Sequence, residues 1–291
     1  QGIQDQEQKA GRQAQILHAL TDVSLDVYEG ETLGIIGESG CGKSTLGRTV
    51  IQLHKATSGS VEYLGKDLFS LTGAERKAMK RDIQMVFQDP YSSLDPRNTC
   101  EQLIAEPLKV HGIISDSKAR QDRVLELMRE VGLDIQHMNR YPHEFSGGQR
   151  QRINVARALA LQPKIIICDE PVSALDVSIQ AQVLNLFNRL QRDHNLTYIF
   201  ISHDLGVIKH VSDRIAIMYL GRVVELCKAS QIYDNPLHPY TRALLSAIPP
   251  ESPFEKKQRI VLKGEIPSPI GDQVGCPLAG RCPNCTERCT R

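Results

Sequence analysis

Short apolar runs, each bounded by polar residues or glycine, recur along the chain and predict the strands of a buried sheet. The clearest runs are Thr32–Ile36, Lys164–Cys168 and Thr197–Ser202. They are almost continuously apolar, which is typical of strands covered by helices on both faces. Weaker runs predict further strands at Ala19–Val27, Gly59–Tyr63, Ile83–Phe87, Asp213–Tyr219 and Arg222–Leu226.

Between these runs the apolar residues follow a helical period. Leu46, Val50 and Leu53 stand at i, i+4 and i+7 of the segment Ser44–Leu53, which is the spacing of one helix face. The same kind of pattern predicts helices over Thr99–Val131, Gln149–Leu161 and Ser178–Asp193. The stretch from about 99 to 160 is therefore predicted to be a helical insertion between two halves of a core.

Strands that alternate with helices predict an α/β fold whose sheet is mostly parallel. From Pro236 onward prolines recur and the periodic pattern ends, so we expect an appendage with little regular structure. The predicted organisation is a main domain over residues 16–234 and a Pro/Cys-rich extension over 235–291.

Composition narrows the class of protein. The 291 residues are 41% hydrophobic and 24% charged, and the formal net charge is +1. A balanced charge gives no basic stripe for nucleic acid. No apolar run reaches the length of a membrane span, and the polar start lacks the apolar segment of a signal peptide.

A glycine-rich segment between the first buried run and the first helix matches the pattern G-x-x-x-x-G-K-S/T. Such a loop turns successive backbone N–H groups toward phosphate oxygens, and the following helix adds its positive end. Lys43 is predicted to reach the β- and γ-phosphates, and the Ser44 hydroxyl to bind Mg²⁺. The candidate nucleotide-binding residues here are Gly37, Ser39, Gly40, Cys41, Gly42, Lys43, Ser44 and Thr45.

Polar side chains follow three of the predicted strands at the point where each strand ends. Asp169 and Glu170 come after one, His203 after another, and Gln88 after a third. Carboxyl ends of parallel strands form the ligand crevice of an open α/β sheet. Asp169 and Gln88 are predicted to help hold Mg²⁺, Glu170 to orient or activate the attacking water, and His203 to contact the γ-phosphate.

A second glycine pair opens the helix predicted at Gln149–Leu161. Ser146, Gly147, Gly148 and Gln149 combine a capping residue with bare backbone N–H groups, which makes another anion site at a helix start. The phosphate loop already has its own helix. One interpretation is that this second site closes over ATP held by another subunit. The alternative is an ordinary helix N-cap followed by flexible glycines.

This set of motifs resembles the ATP-binding cassette (ABC) family, over essentially residues 18–291. The resemblance implies ATP and Mg²⁺ as ligands and a head-to-tail dimer in which each ATP lies between one subunit's phosphate loop and the other's Ser146–Gln149. The segments Gln88–Arg97, Arg140–Gln149, Asp169–Ser178 and Asn235–Leu245 resemble the ATPases of oligopeptide and dipeptide importers, and among these the second ATPase of the usual pair.

The resemblance carries further expectations. It implies a different ATPase chain as dimer partner, two integral membrane subunits, a separate substrate-binding protein and a peripheral position on the cytoplasmic face of the cell membrane. Relatives import oligopeptides, dipeptides, nickel chelates or glutathione. A non-transporting ABC ATPase is the alternative, but the chain lacks the long coiled-coil insertion or second cassette of that class. A small-molecule kinase would leave Ser146–Gln149 without a role.

Four of the eight cysteines fall within the last sixteen residues: Cys276, Cys282, Cys285 and Cys289. In a reducing compartment such a group suits a metal site better than disulfides. Gly275–Pro283 resembles the tail of the same importer ATPases, which implies a 4Fe–4S cluster. Four thiolates also suit tetrahedral zinc. A tail that binds no metal is the third alternative.

Overall fold

The structure is a computed structural model that describes residues 2–4, 16–248, 258–271 and 274–291. Its longer strands fall where buried apolar runs were predicted. The strands are β1 (Gly2–Gln4), β2 (Ile16–His18), β3 (Thr32–Ile36), β4 (Glu62–Tyr63), β5 (Lys66–Asp67), β6 (Ile83–Val86), β7 (Ile165–Asp169), β8 (Thr197–Ser202), β9 (Arg214–Tyr219) and β10 (Arg222–Lys228).

Helices cover both faces of the sheet and form the insertion. They are α1 (Lys43–Val50), α2 (Gly73–Asp82), α3 (Cys100–His111), α4 (Ser117–Glu130), α5 (Gly147–Leu159), α6 (Val177–His194), α7 (Leu205–Val211), α8 (Ala229–Asp234) and α9 (Pro239–Ser246). The predicted segment Thr99–Val131 is two helices, because Gly112 adopts a left-handed conformation (φ 66°) that ends α3.

Six strands form one sheet in the order β10-β9-β3-β8-β7-β6. All neighbours are parallel except the β9–β10 hairpin. The register aligns the carboxyl ends of the inner strands: Ile36 is opposite Ser202, and Asp169 is opposite Ile201. The loops that follow β3, β6, β7 and β8 therefore meet at one edge of the sheet.

Alternate residues of the strands enter two separate apolar cores. Ile166 and Phe200 belong to the larger core, which continues into the helical insertion, whereas Ile167 and Ile201 belong to the smaller core on the other face. Burial of both faces explains why these strands have no polar alternation. This packing makes the sheet a rigid base for the loops at its carboxyl edge.

One prediction about regular structure was wrong. Ala19–Val27 forms no strand, although its residues alternate in burial and Val23, Leu25 and Val27 pack on the smaller core. Asp22 interrupts this segment because its φ of 50° is incompatible with an extended strand. Burial therefore alternates along the segment although it pairs with no neighbouring strand in a hydrogen-bonded ladder. The extension contains a helix, α9, which begins at Pro239 because proline suits the first turn.

The predicted extension is described except for residues 249–257 and 272–273, which lie outside the described part of the chain. Within the described residues, no helix combines the length and apolar character needed to cross a bilayer.

Candidate nucleotide site

The phosphate loop connects β3 to α1 and depends on glycine at both ends. A Cβ on Gly37 would lie 2.1 Å from the Met218 carbonyl oxygen, and one on Gly42 would lie 2.3 Å from the Ala19 carbonyl oxygen. Gly42 also has φ 102°, a conformation that other residues rarely adopt. Only glycine therefore lets this loop pass so close to neighbouring backbone.

Lys43 lies inside the loop and is only 4% exposed. Its ammonium donates to the carbonyl oxygens of Gly37 at 2.8 Å and Glu38 at 3.0 Å. A buried ammonium needs such partners, and here the loop backbone provides them. Burial raises the pKa of the adjacent Cys41 thiol, which keeps that side chain neutral beside the lysine.

Ser44 and Asp169 meet where α1 begins and β7 ends. The Ser44 hydroxyl donates to Asp169 Oδ1 at 2.7 Å, and Arg48 Nη2 lies 3.6 Å from Asp169 Oδ2. Asp169 is fully buried, and the loss of solvent raises the pKa of its carboxyl group. The Ser44 hydrogen bond and the Arg48 charge lower that pKa, but burial has the larger effect, so the net shift is upward.

Asp169 Oδ2 is buried without a hydrogen bond from any described residue. Buried carboxylate oxygens normally have a partner, and a hydroxyl with a carboxylate is an oxygen donor set that suits Mg²⁺. The residues present therefore fit the cation that the phosphate loop implies.

Glu170 is the centre of a second group formed by the ends of three strands. Gln88 Nε2 donates to Glu170 Oε2 at 3.0 Å, and His203 Nδ1 lies 2.9 Å from the same oxygen. The Glu170 side chain is 12% exposed, whereas His203 is 55% exposed. Glu170 has φ 47°, an uncommon conformation for a non-glycine residue. A carboxylate held this way can orient a water molecule.

The second glycine pair lies at the start of α5, as predicted, within a reciprocal cap. Gln149 N–H donates to Ser146 Oγ at 3.3 Å, and Ser146 N–H donates to Gln149 Oε1 at 2.9 Å. A Cβ on Gly148 would lie 2.4 Å from Ile179, and one on Gly147 would lie 3.2 Å from Leu175. The start of α5 thus packs against the segment that follows Glu170.

The remaining predicted residues lie in the loop or the first turn of α1. Ser39 and Gly40 are exposed in the loop, and Thr45 is half-buried. The structure thus brings Gln88, Asp169, Glu170 and His203 to the edge of the sheet where the phosphate loop begins.

The four tail cysteines approach one another without forming a chelating group. Partial desolvation raises the pKa of Cys285, and the charges of Cys289, Cys282 and Cys276 add to the effect, so all four thiols lie within electrostatic range. Across residues 2–4, 16–248, 258–271 and 274–291, however, no three His, Cys, Asp or Glu side chains are grouped to hold a metal ion. The expected cluster is not supported by this arrangement.

Sequence reasoning missed three residues that contact the site. Arg48 follows Ser44 by four positions on α1, a spacing that places both side chains on one helix face, so this partner of Asp169 was detectable. Tyr240 and Arg281 contact Glu38 of the phosphate loop. They are more than 200 positions away in the chain, and no local pattern indicates that contact.

A phosphate loop between a buried strand and a helix, with acidic residues ending a neighbouring strand, defines a P-loop nucleotide hydrolase, and the capped glycines of α5 define it as an ATP-binding cassette. A solved dimeric ATP-binding cassette, in a post-hydrolysis state with ADP and Pi, is similar over 76% of this chain and 94% of its own, with 32% identity and a TM-score of 0.67.

The chain belongs to the ABC transporter family, which residues 20–173 match. Residues 224–289 match the C-terminal region of oligopeptide/dipeptide transporters. The oligopeptide transport ATP-binding protein OppF of Escherichia coli (strain K12) is 54% identical over 99% of this chain and 87% of its own length. The di/tripeptide transport ATP-binding protein DppF of Pseudomonas aeruginosa (strain UCBPP-PA14) is 50% identical over 94% and 84%. The chain is an ATP-hydrolysing transporter subunit.

Proposed function

We propose that this ATPase drives the import of oligopeptides or dipeptides from a peripheral position on the cytoplasmic face of the membrane. The observation that carries the proposal is the match of residues 224–289 to the oligopeptide/dipeptide transporter region, together with relatives whose names specify peptide transport. The extension from 235 to 291 is the part of the predicted organisation that separates this chain from a minimal cassette.

In the proposed hydrolysis, the phosphate loop and Lys43 hold the β- and γ-phosphates. Glu170 orients a water molecule and accepts its proton as the water oxygen attacks the γ-phosphorus and the bond to the bridging oxygen breaks, which leaves ADP and phosphate. His203 contacts the γ-phosphate, and its bond to Glu170 keeps the carboxylate aimed. Mg²⁺, held by Ser44, Asp169 and Gln88, would neutralise developing charge.

The proposed active form is a head-to-tail dimer. The bare N–H groups that begin α5 cannot be satisfied within the helix, and they suit the γ-phosphate of an ATP bound to the facing subunit. Solved relatives of the same fold are dimeric, which supports this arrangement. We propose a different ATPase chain as the partner, because the sequence motifs resemble those of the second ATPase of a pair.

The proposed contact with the membrane subunits is a groove of about 380 Å³ between the edge strand β6 and the helices α3 and α5. Val110, which is 67% exposed, and Leu53, which is 58% exposed, lie in it beside Glu106 and Arg157. Apolar side chains rimmed by charge suit a short helix of a partner protein. Two membrane subunits and a separate binding protein would then select the substrate.

A metal at the four cysteines is proposed separately, on donor chemistry alone. Four thiols within fourteen residues, Cys276 to Cys289, suit a 4Fe–4S cluster, with zinc as the alternative. Iron, zinc and acid-labile sulfide analysis of anaerobically purified protein tests this. About four iron and four sulfide per chain would support the cluster, and chains without metal would contradict it.

The test of the importer assignment is co-purification. The tagged chain is purified in mild detergent from cells that carry its own transport genes. We expect two integral membrane proteins and a second ATPase to be recovered in equal amounts, and ATP hydrolysis that rises when the binding protein is loaded with peptide. Recovery of an active ATPase that lacks membrane partners would contradict an importer.

A further inference from the structure

The C-terminal extension touches the phosphate loop through a buried tyrosine. The main-chain N–H of Glu38 donates to the Tyr240 hydroxyl at 2.9 Å. Tyr240 is fully buried at the start of α9, and its ring lies 4.7 Å from the ring of Tyr219, the last residue of β9. The Tyr240 hydroxyl therefore has a fixed position relative to the sheet. Its hydrogen bond with Glu38 in turn fixes the first turn of the phosphate loop.

A cation from the cysteine-rich tail meets the same residue. Arg281 Nη1 lies 3.4 Å from Glu38 Oε2 and donates to the Tyr219 hydroxyl at 3.2 Å, with the arginine side chain 11% exposed. The Arg281 N–H donates to the Leu278 carbonyl oxygen at 2.8 Å, and Leu278 is buried in the larger core. The guanidinium of Arg281 therefore extends from a turn of the tail that the burial of Leu278 holds against the larger core.

The N–H, the carbonyl oxygen and one carboxylate oxygen of Glu38 each have a partner. Tyr240 accepts from its N–H, Lys43 donates to its carbonyl oxygen at 3.0 Å, and Arg281 pairs with its carboxylate. Two of these three partners belong to the extension. Glu38 directly precedes the loop N–H groups that are predicted to bind phosphate, so its position sets the direction in which those groups point.

The extension also supports the strand beside the other end of the loop. His18 N–H donates to the Pro269 carbonyl oxygen at 2.9 Å, and Gly271 N–H donates to the Ile16 carbonyl oxygen at 3.1 Å. The next residue, Ala19, presents the carbonyl oxygen that faces Gly42. Both ends of the phosphate loop thus rest on structure that the extension completes.

We propose that Tyr240 and Arg281 are positioning residues for ATP: they hold Glu38 so that the phosphate loop has its nucleotide-binding shape before ATP arrives. Preorganised donors bind more tightly because the loop's ordering has already occurred. The inference rests on the ATPase function of the chain and not on its transported substrate. It assigns the importer-type extension a direct role in nucleotide affinity.

The test compares the ATP KM and kcat of the full-length ATPase variants in the assembled complex. Tyr240→Phe removes the acceptor for Glu38 N–H. Arg281→Ala removes the cation beside Glu38 together with its hydrogen bond to the Tyr219 hydroxyl. We expect each to raise the ATP KM roughly threefold to tenfold, the range of one hydrogen bond, with kcat within about twofold because Glu170, Gln88 and His203 are untouched.

Two controls separate positioning from general stability. Tyr198→Phe removes the hydroxyl of another buried tyrosine, which donates to the Phe187 carbonyl oxygen away from the phosphate loop. Arg291→Ala removes a tail arginine that is 80% exposed. Both should leave the ATP KM unchanged. Arg281→Lys, which keeps the charge, should restore part of the affinity.

A double-mutant cycle shows whether Arg281 acts through Glu38. In a Glu38→Gln background the carboxylate is already lost, so Arg281→Ala should add little to the KM. Additive effects, or variants that lose thermal stability while the ATP KM stays at the wild-type value, would overturn the proposal. If Tyr240→Phe does not fold, the arginine cycle decides alone. A wild-type chain that does not bind ATP would contradict the ATPase function itself.

Discussion

At the scale of single residues, Glu170 is the carboxylate that both Gln88 and His203 hold, through one oxygen at 3.0 and 2.9 Å. Glu170→Gln keeps the side-chain shape but cannot accept a proton. We expect hydrolysis to fall by at least about a hundredfold, the usual effect of losing a general base, while ATP binding persists. Phosphate release and equilibrium nucleotide binding measure the two effects.

The control for that variant is Glu75→Gln, which removes an exposed carboxylate that pairs with Lys66 on the surface. It should hydrolyse ATP at the wild-type rate. Normal turnover by Glu170→Gln would remove Glu170 from the proposed chemistry.

Lys43 has a different role, because its ammonium is buried and already directed into the phosphate loop. Lys43→Ala should weaken nucleotide binding itself, by about tenfold or more, since a charge-assisted contact with phosphate is worth roughly 1.5–3 kcal/mol. Calorimetric titration with a non-hydrolysable ATP analogue measures the change, and unchanged affinity would contradict the assignment.

Asp169 should make the stability of the Mg²⁺-free protein depend on pH. Burial, opposed by Ser44 and Arg48, leaves its pKa raised in the folded state, so folding favours the protonated form. The stability contributed by this group is present below the ordinary aspartate pKa of about 4 and is lost as pH rises through the raised value. Unfolding midpoints measured without Mg²⁺ should show this loss in wild type but not in Asp169→Asn.

Asp122→Asn, which changes an exposed aspartate of α4, serves as the control and should keep the wild-type pH profile. An Asp169→Asn profile identical to wild type would show that the buried carboxylate is not the source of the dependence.

The convergence of Gln88, Asp169, Glu170 and His203 could be expected from sequence because each lies at or just after the end of a strand, and the carboxyl ends of parallel strands meet at one edge of the sheet. Tyr240 and Arg281 could not be expected. Their approach to Glu38 is set by how α9 and the tail pack on Tyr219 and the larger core, which no spacing along the chain records.

At the scale of elements, the start of α5 combines a structural cap with the proposed site for the partner's ATP. Ser146→Ala removes the acceptor for the Gln149 N–H and should cost about 1 kcal/mol of stability. Because Ser146 also borders the N–H groups offered to the facing ATP, we expect ATP-dependent dimerisation to weaken too. Analytical ultracentrifugation of the Glu170→Gln form, mixed with its partner ATPase and ATP, measures this.

The chain offers a matched control at α3, where Thr99 and Gln102 form the same reciprocal cap. Thr99→Ala should lose similar stability and dimerise normally. If both variants lose dimerisation to the same extent, the effect comes from helix stability and the proposed ATP contact of α5 is wrong.

Elements whose sequence carries a strong local pattern were predictable, and β8 has the predicted bounds. The segment Ala19–Val27 was not, because alternating burial is shared by a strand and by an extended chain that only packs on a core. Helix α9 was hidden by the surrounding prolines, although Pro239 at its first position favours a helix start.

At the scale of the whole molecule, the groove beside β6 should determine assembly with the membrane subunits. Val110→Asp puts a charge on an exposed apolar residue of α3 inside the groove. We expect the membrane subunits to be lost on purification, while ATP binding by the chain is retained. Leu64→Asp changes a residue that is 82% exposed outside the groove, and should co-purify normally.

The central claim is that ATP hydrolysis by this chain moves peptides inward. It is tested by uptake of a labelled oligopeptide or dipeptide into vesicles that contain the complete complex, with its binding protein outside and ATP inside. We predict uptake that requires ATP and disappears when Glu170→Gln replaces the wild-type chain. Steady ATP hydrolysis by the complete complex without uptake of either peptide class would contradict the account.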